Sequence, residues 1–114
     1  MQVHYLEIVT NEVDAVCATY EKFHGVTFGA GDAGLGGART APLPDGGMLG
    51  VRAPMHEREE PVVRPYLLVD DIEAAAAAAV EQGAEIAHPP MEIPGQGKFA
   101  IFLQGGSHHG LWQV

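Results

Sequence analysis

The sequence predicts an α+β fold built from two consecutive βαβββ modules, on an internal repeat, regular turn punctuation and a composition suited to short strands. NEVDAVCATYEKFHGVTF, from Asn11, and DDIEAAAAAAVEQGAEI, from Asp70, have the same plan. Each opens polar-acid-aliphatic, continues as a helix, closes at a glycine (Gly25, Gly83) and resumes as an alternating run. Between the remaining runs stand PLPDGG, PPMEIPGQG and LQGG, strong turn formers all. Gly 15 and Pro 8 in 114 residues favour several short strands over a helix bundle.

Taken in order, the first module starts with a β-rich run from Val3 to Val9. Its helix carries Val13, Val16, Cys17, Tyr20 and Phe23 at the spacing of one apolar stripe. Strands follow over Val26 to Ala30, Leu35 to Ala41 and Met48 to Arg52. The second module starts with Val62 to Val69, and its helix has the stripe Ile72, Ala75, Ala76, Ala79 and Val80. Asp70 with Glu73 resembles a capping box, and glycine supplies the left-handed stop. Strands then run over Ala84 to His88, Lys98 to Leu103 and His108 to Val114. The chain is read as one domain, with module one at 1–53, a charged linker APMHEREEP at 54–61 and module two at 62–114.

Six Lys and Arg against fifteen Asp and Glu give a formal net charge of −9, which argues against nucleic acid and anionic membranes as partners. No apolar run approaches the roughly 20 residues that span a bilayer. With a single cysteine, Cys17, and no signal-peptide pattern, a cytoplasmic location is expected.

Two βαβββ units carrying VHYLEIVTNEVDAVCATYEKFHGVTF, VDDIEAAAAAAVEQGAEI, PPMEIPGQGKFAIF and a terminal GLWQV resemble the vicinal oxygen chelate superfamily. That superfamily includes glyoxalase I, bleomycin-resistance proteins and extradiol dioxygenases. The resemblance covers nearly the whole chain and implies sheets curled into a cup, helices outside, a ligand inside and a homodimer. It also implies four metal-ligand positions, one on the first and one on the last strand of each module. These fall on Tyr5, Gly50, Arg64 and Gly110. Two have no side chain, and an arginine repels a cation, so neither a metal site nor another cofactor is expected.

The pair His108 and His109 in GGSHHGLWQV does not restore a metal site, because neighbours on a strand point to opposite faces. A one-residue shift would bring in His4, but His4 alternates with Leu6 and Ile8, which suit the core beneath the helix. A surviving metal would have to use His4 or His108 with Glu7.

If the cup faces follow alternation, the implied ligand-facing set is Tyr5, Glu7, Met48, Arg52, Arg64, Tyr66, Leu68, His108 and Trp112. Glu7 has two readings, an ion-pair partner of Arg64 or a catalytic general base. Arg52 and Arg64 either bind a ligand carboxylate or phosphate or neutralise acidic neighbours. Trp112, Tyr5 and Tyr66 either stack on a planar ligand or pack. His24, His56 and His109 are read as surface or packing residues, Cys17 as a buried inert thiol, and His88 as a candidate gate beside the PPMEIPGQG loop. The open space expected around Gly34, Gly36, Gly37 and Gly50 favours a binder over a purely structural module.

The expected function is therefore metal-independent binding of a small planar or carboxylated molecule, by sequestration or with acid/base chemistry at Glu7. The alternative is a metal-dependent lyase, isomerase or dioxygenase of the glyoxalase I or extradiol type.

Overall fold

The computed structural model describes all residues from Met1 to Val114. In chain order the elements are β1 (Val3–Val9), α1 (Val13–His24), β2 (Gly31–Asp32), a 3₁₀ turn (Ala33–Leu35), β3 (Ala38–Pro42), β4 (Met48–Arg52), β5 (Val62–Leu68), α2 (Ile72–Glu81), β6 (Glu85–Ile93), β7 (Gly97–Gln104) and β8 (Ser107–Gln113). This is βαβββ twice. No helix is long and apolar enough to cross a membrane.

The chain divides into two compact units, Tyr5–Val63 and Met1–His4 with Arg64–Val114. The boundary differs from the sequence division: the linker belongs with the first unit and the opening four residues with the second. In the first unit the strand order is β2-β3-β4-β1, with β1 parallel to β4 and the other pairs antiparallel. In the second the order is β6-β7-β8-β5, with β5 parallel to β8 and the others antiparallel. The same connectivity arises twice because the same pattern of strand, helix and turns is written twice.

Each helix covers one face of its sheet. Cys17 of α1 is fully buried among Ile8, Phe28, Ala41, Leu49 and Val51, with Val13, Val16 and Tyr20 packed against them. Burial pushes the Cys17 thiol pKa up, against the thiolate that nucleophilic work requires. Ile72 and Ala76 of α2 pack on Ala100 and Leu111. Phe23 and Val80 leave their expected stripes and are 60% and 50% exposed. At 100° per residue Phe23 lies about 120° around the helix from Cys17, and Val80 about 80° from Ile72. Phe23 packs locally instead, edge-on to Tyr20 and His24.

The ends of the helices follow local chemistry. Gly25 takes φ 70° and its N–H donates to the Glu21 carbonyl, the expected left-handed stop. The cap of α2 is Asp71 rather than Asp70: its backbone is extended, and its carboxylate accepts from Ala74 N at 3.1 Å. For α1, Thr10 Oγ1 accepts from Glu12 N at 3.0 Å.

Three strand expectations change. Val26 to Ala30 is irregular, because Phe28 is drawn into the core while its N–H donates to the Glu21 carboxylate at 2.9 Å. Leu35 sits in the 3₁₀ turn, which Asp32 caps through Gly34 N, so β3 starts only at Ala38. In contrast, β6 runs on through Pro89 and Pro90 to Ile93, with register shifts either side of His88. Proline is tolerated there because β6 is the outer strand of its unit and its register with β7 shifts between His88 and Met91, across both prolines.

Candidate functional site

Alternation sets the face of each strand away from its helix. In the first unit, parallel pairing puts Tyr5 opposite Met48, Glu7 opposite Gly50 and Val9 opposite Arg52. Tyr5, Glu7 and Arg52 are buried, and Met48 is half-buried.

Arg52 is the centre of a buried ion cluster. Its Nε donates to Glu7 Oε2 at 2.9 Å, and Nη1 and Nη2 donate to the two oxygens of Glu59 at 2.8 and 2.7 Å. The fork-on-carboxylate geometry with Glu59 is the strong, bidentate kind. Arg52 was expected to face ligand, but the structure commits its guanidinium to these two carboxylates. They hold its pKa above the ordinary arginine value, Glu59 more than Glu7, with burial opposing. Glu7, considered as a general base, has one oxygen taken by this ion pair.

Glu59 was missed in the sequence because it lies in a linker with no periodicity, where charge reads as solvation. It also accepts from Met55 N at 2.7 Å, so one carboxylate ties the linker to β4. Hydrogen bonds from Arg52 are the main reason its pKa falls from 4.5 to about 2; burial opposes them and Met55 N–H assists. A folded pKa below the unfolded one means stability that is present above pH 4.5 and lost as pH falls towards 2. Urea midpoints measured across that window should decline with acid in the wild type and decline less in Glu59→Gln. Identical slopes for the two proteins would show that Glu59 carries none of the acid sensitivity.

The expected open space at Gly50 is filled. A Cβ on Gly50 would collide with Tyr5 Oη, with Cζ at 2.5 Å and Cε1 at 2.8 Å. In the second unit a tyrosine again covers a glycine, but from another register: Tyr66 lies directly opposite Gly110, and a Cβ on Gly110 would collide with Tyr66 Cδ2, with Cγ at 2.5 Å and the Pro65 carbonyl at 2.7 Å. Each glycine is the floor on which a tyrosine ring rests.

In the second unit Arg64 Nη1 donates to Tyr66 Oη at 3.4 Å, and Nη2 meets His108 Nδ1 at 3.3 Å. Arginine can only donate, so in this contact Nδ1 is on the accepting side. Arg64 is 6% exposed, whereas His108 is exposed. Trp112, across from Leu68, is buried and edge-on to Tyr66, with ring centres 5.7 Å apart, and its Nε1 donates to Gln96 O at 3.0 Å. Both its ring and its indole N–H thus have partners within the second unit.

His109 stacks on Phe102, itself packed against the core beneath α2, and its Nε2 meets the Gln104 carbonyl at 3.1 Å. The two terminal histidines lie on opposite sides of β8, as alternation requires. His4 departs from expectation: it belongs with the second unit, and its ring lies 5.6 Å from Trp112. Phe99 of β7, which is missing from the ligand-facing set that the sequence implies, lies opposite Trp112 and stacks with His88 at 4.6 Å. Alternation along β7 was the signal that could have found it. No three His, Cys, Asp or Glu side chains group as metal ligands.

The sequence is 31% identical over 109 aligned positions to "Putative glyoxylase CFP32" of Mycobacterium bovis, a match over 83% of this chain. The fold superposes on hypothetical protein BH1468 from Bacillus halodurans with a TM-score of 0.76 at 13% identity, covering 99% of this chain and 94% of that one. It superposes on methylmalonyl-CoA epimerase from Mycobacterium tuberculosis with a TM-score of 0.73 at 13% identity, covering 96% and 85%. The chain belongs to the glyoxalase-like, vicinal oxygen chelate superfamily. The glyoxalase-like chain spans 37% of the length of the curated relative it matches. No family model matches it. At such low identity the solved structures show the fold alone.

The metal that the superfamily implies does not fit this glyoxalase-like chain. At the two glycine positions a ligating side chain would have to displace a buried tyrosine ring, and Arg64 brings a positive charge. Tyrosine at position 5 is a poor substitute for histidine or carboxylate.

Proposed function

We propose that this glyoxalase-like chain binds a small organic molecule without a metal, and that it acts by sequestering the molecule. The observation that carries the reading is the tyrosine ring laid over each of Gly50 and Gly110, where the superfamily would place metal ligands. The Glu7–Arg52 ion pair supports binding over catalysis, because a general base must reach the proton it removes and Glu7 Oε2 is already engaged.

Elemental analysis tests the metal half. Untagged protein is incubated with zinc, nickel, manganese or ferrous iron, desalted and analysed, with retention far below one equivalent as the expected result. Near-stoichiometric retention of any one would overturn the reading in favour of a metal-dependent lyase, isomerase or dioxygenase. For the binding half, a screen of small aromatic and carboxylated compounds should raise the melting temperature and change the emission of Trp112, the sole tryptophan.

A further inference from the structure

On the outer strand of the second unit, His88 points the opposite way from what strict alternation dictates. Ile86 pairs with Phe102, and both pack on the core beneath α2. Two residues further on, His88 should face that core as well. The register shift between Ile86 and His88 sets His88 opposite Ile101 instead. Its side chain is thereby turned to the other face, where the ring stacks on Phe99 with centres 4.6 Å apart. Re-aiming a side chain is what a bulge does. Met91 pairs with Phe99 across the second shift and shares this face, as does Trp112 on the far side of Phe99.

The imidazole is held twice, by the Phe99 ring and by the Pro89 carbonyl, which lies 2.8 Å from Nδ1. A carbonyl only accepts, so Nδ1 donates there, and in the neutral ring Nε2 is then the acceptor. Nε2 itself makes no hydrogen bond. Pro89 also confines the backbone of His88 to extended conformations, so the ring is fixed before any ligand arrives. His88 and Phe99 are half-buried and Met91 is 50% exposed, which leaves the group within reach of a small molecule. A thioether and aromatic rings make good neighbours for a further aromatic ring.

We infer that His88 is the polar anchor of the ligand, and that the ligand is a neutral aromatic molecule with an O–H donor. Its hydroxyl donates to Nε2, and its ring lies against the Met91 thioether and Phe99. An anion is disfavoured there, because an acceptor nitrogen offers it no proton and the chain carries a formal net charge of −9. This rests on the metal-free reading above and adds to it the residue that recognises the ligand.

The probe is β-naphthol, titrated calorimetrically into chelator-treated, desalted protein, with its methyl ether, which lacks the donor, as the control. The naphthol should bind about three- to tenfold more tightly than the ether, the size of one hydrogen bond between neutral groups. His88→Phe keeps a ring on Phe99 and should abolish that preference. His88→Gln brings an amide oxygen near the position of Nε2 and should restore part of it, whereas Met91→Ala should weaken both compounds alike. In wild type carrying isotope-labelled histidine, the Nε2 resonance of His88 should shift with the naphthol and not with the ether, a readout that no variant's folding affects. Equal binding of the two compounds, binding of neither, or a preference that survives His88→Phe overturns the anchor and leaves the metal-free reading in place. Naphthol binding that appears only after zinc or ferrous iron is added overturns the metal-free reading itself.

Discussion

Arg52→Met should lower folding stability by about 3–5 kcal/mol, the usual result of breaking a buried ion pair from one side. Methionine fills much of the volume but removes the guanidinium Nε that donates to Glu7, itself 6% exposed. It also frees Glu59, and with it the linker's attachment to β4. Glu7→Gln should cost much less, because an amide oxygen still accepts from Nε and no uncompensated charge is left behind. Urea unfolding at neutral pH followed by circular dichroism separates the two. A loss under about 1 kcal/mol in Arg52→Met would mean that the cluster is loosely held, returning Arg52 to the ligand-binding groups.

Gly110→Ala is the second large effect. The added methyl would meet the base of the Tyr66 ring and the Pro65 carbonyl, at 2.7 Å, neither of which can swing aside. Overpacking of this kind costs typically about 1–3 kcal/mol, and more where backbone must move. Gly50→Ala meets only the outer end of the Tyr5 ring, a group with rotatable bonds, so it should cost less. Tyr5→Ala should partly rescue Gly50→Ala in a double-mutant cycle, whereas Tyr66→Ala should rescue Gly110→Ala poorly, because Pro65 remains. Thermal unfolding of the variants reads both couplings. A silent Gly110→Ala would mean that the tyrosines do not rest on the glycines, removing the observation on which the metal-free reading stands.

The repeat made the architecture legible, since helix stripes and strand alternation are carried by residues a few positions apart. Both helices, β1, β4, β5, β7 and β8 lie close to where periodicity puts them. Expectations failed where a distant partner decided the outcome. Phe28 follows the core rather than a ladder, and Pro89 and Pro90 fit a strand because it is an outer one. The same division runs through the candidate site. Alternation assigned Tyr5, Glu7, Arg64, Tyr66 and Trp112 to their faces, because a face is a local property. It could not show that a tyrosine ring would lie across a glycine on the neighbouring strand, since that depends on register and rotamer together. Nor could it find Glu59, whose role exists only once the linker folds back on Arg52.

Met1–His4 belong with the unit formed by Arg64–Val114: the Gln2 carbonyl accepts from Leu68 N at 2.9 Å, and His4 packs against Trp112. During synthesis these four residues therefore leave the ribosome long before the strands they join. That unit is a composite of two segments far apart in the chain, so a fragment starting at Arg64 lacks one of its pieces. The contact between His4 and Trp112 spans nearly the whole sequence, so closing it costs the chain more entropy than a local contact does. Changes in Met1–His4 should accordingly be felt first in the half of the chain that follows Arg64.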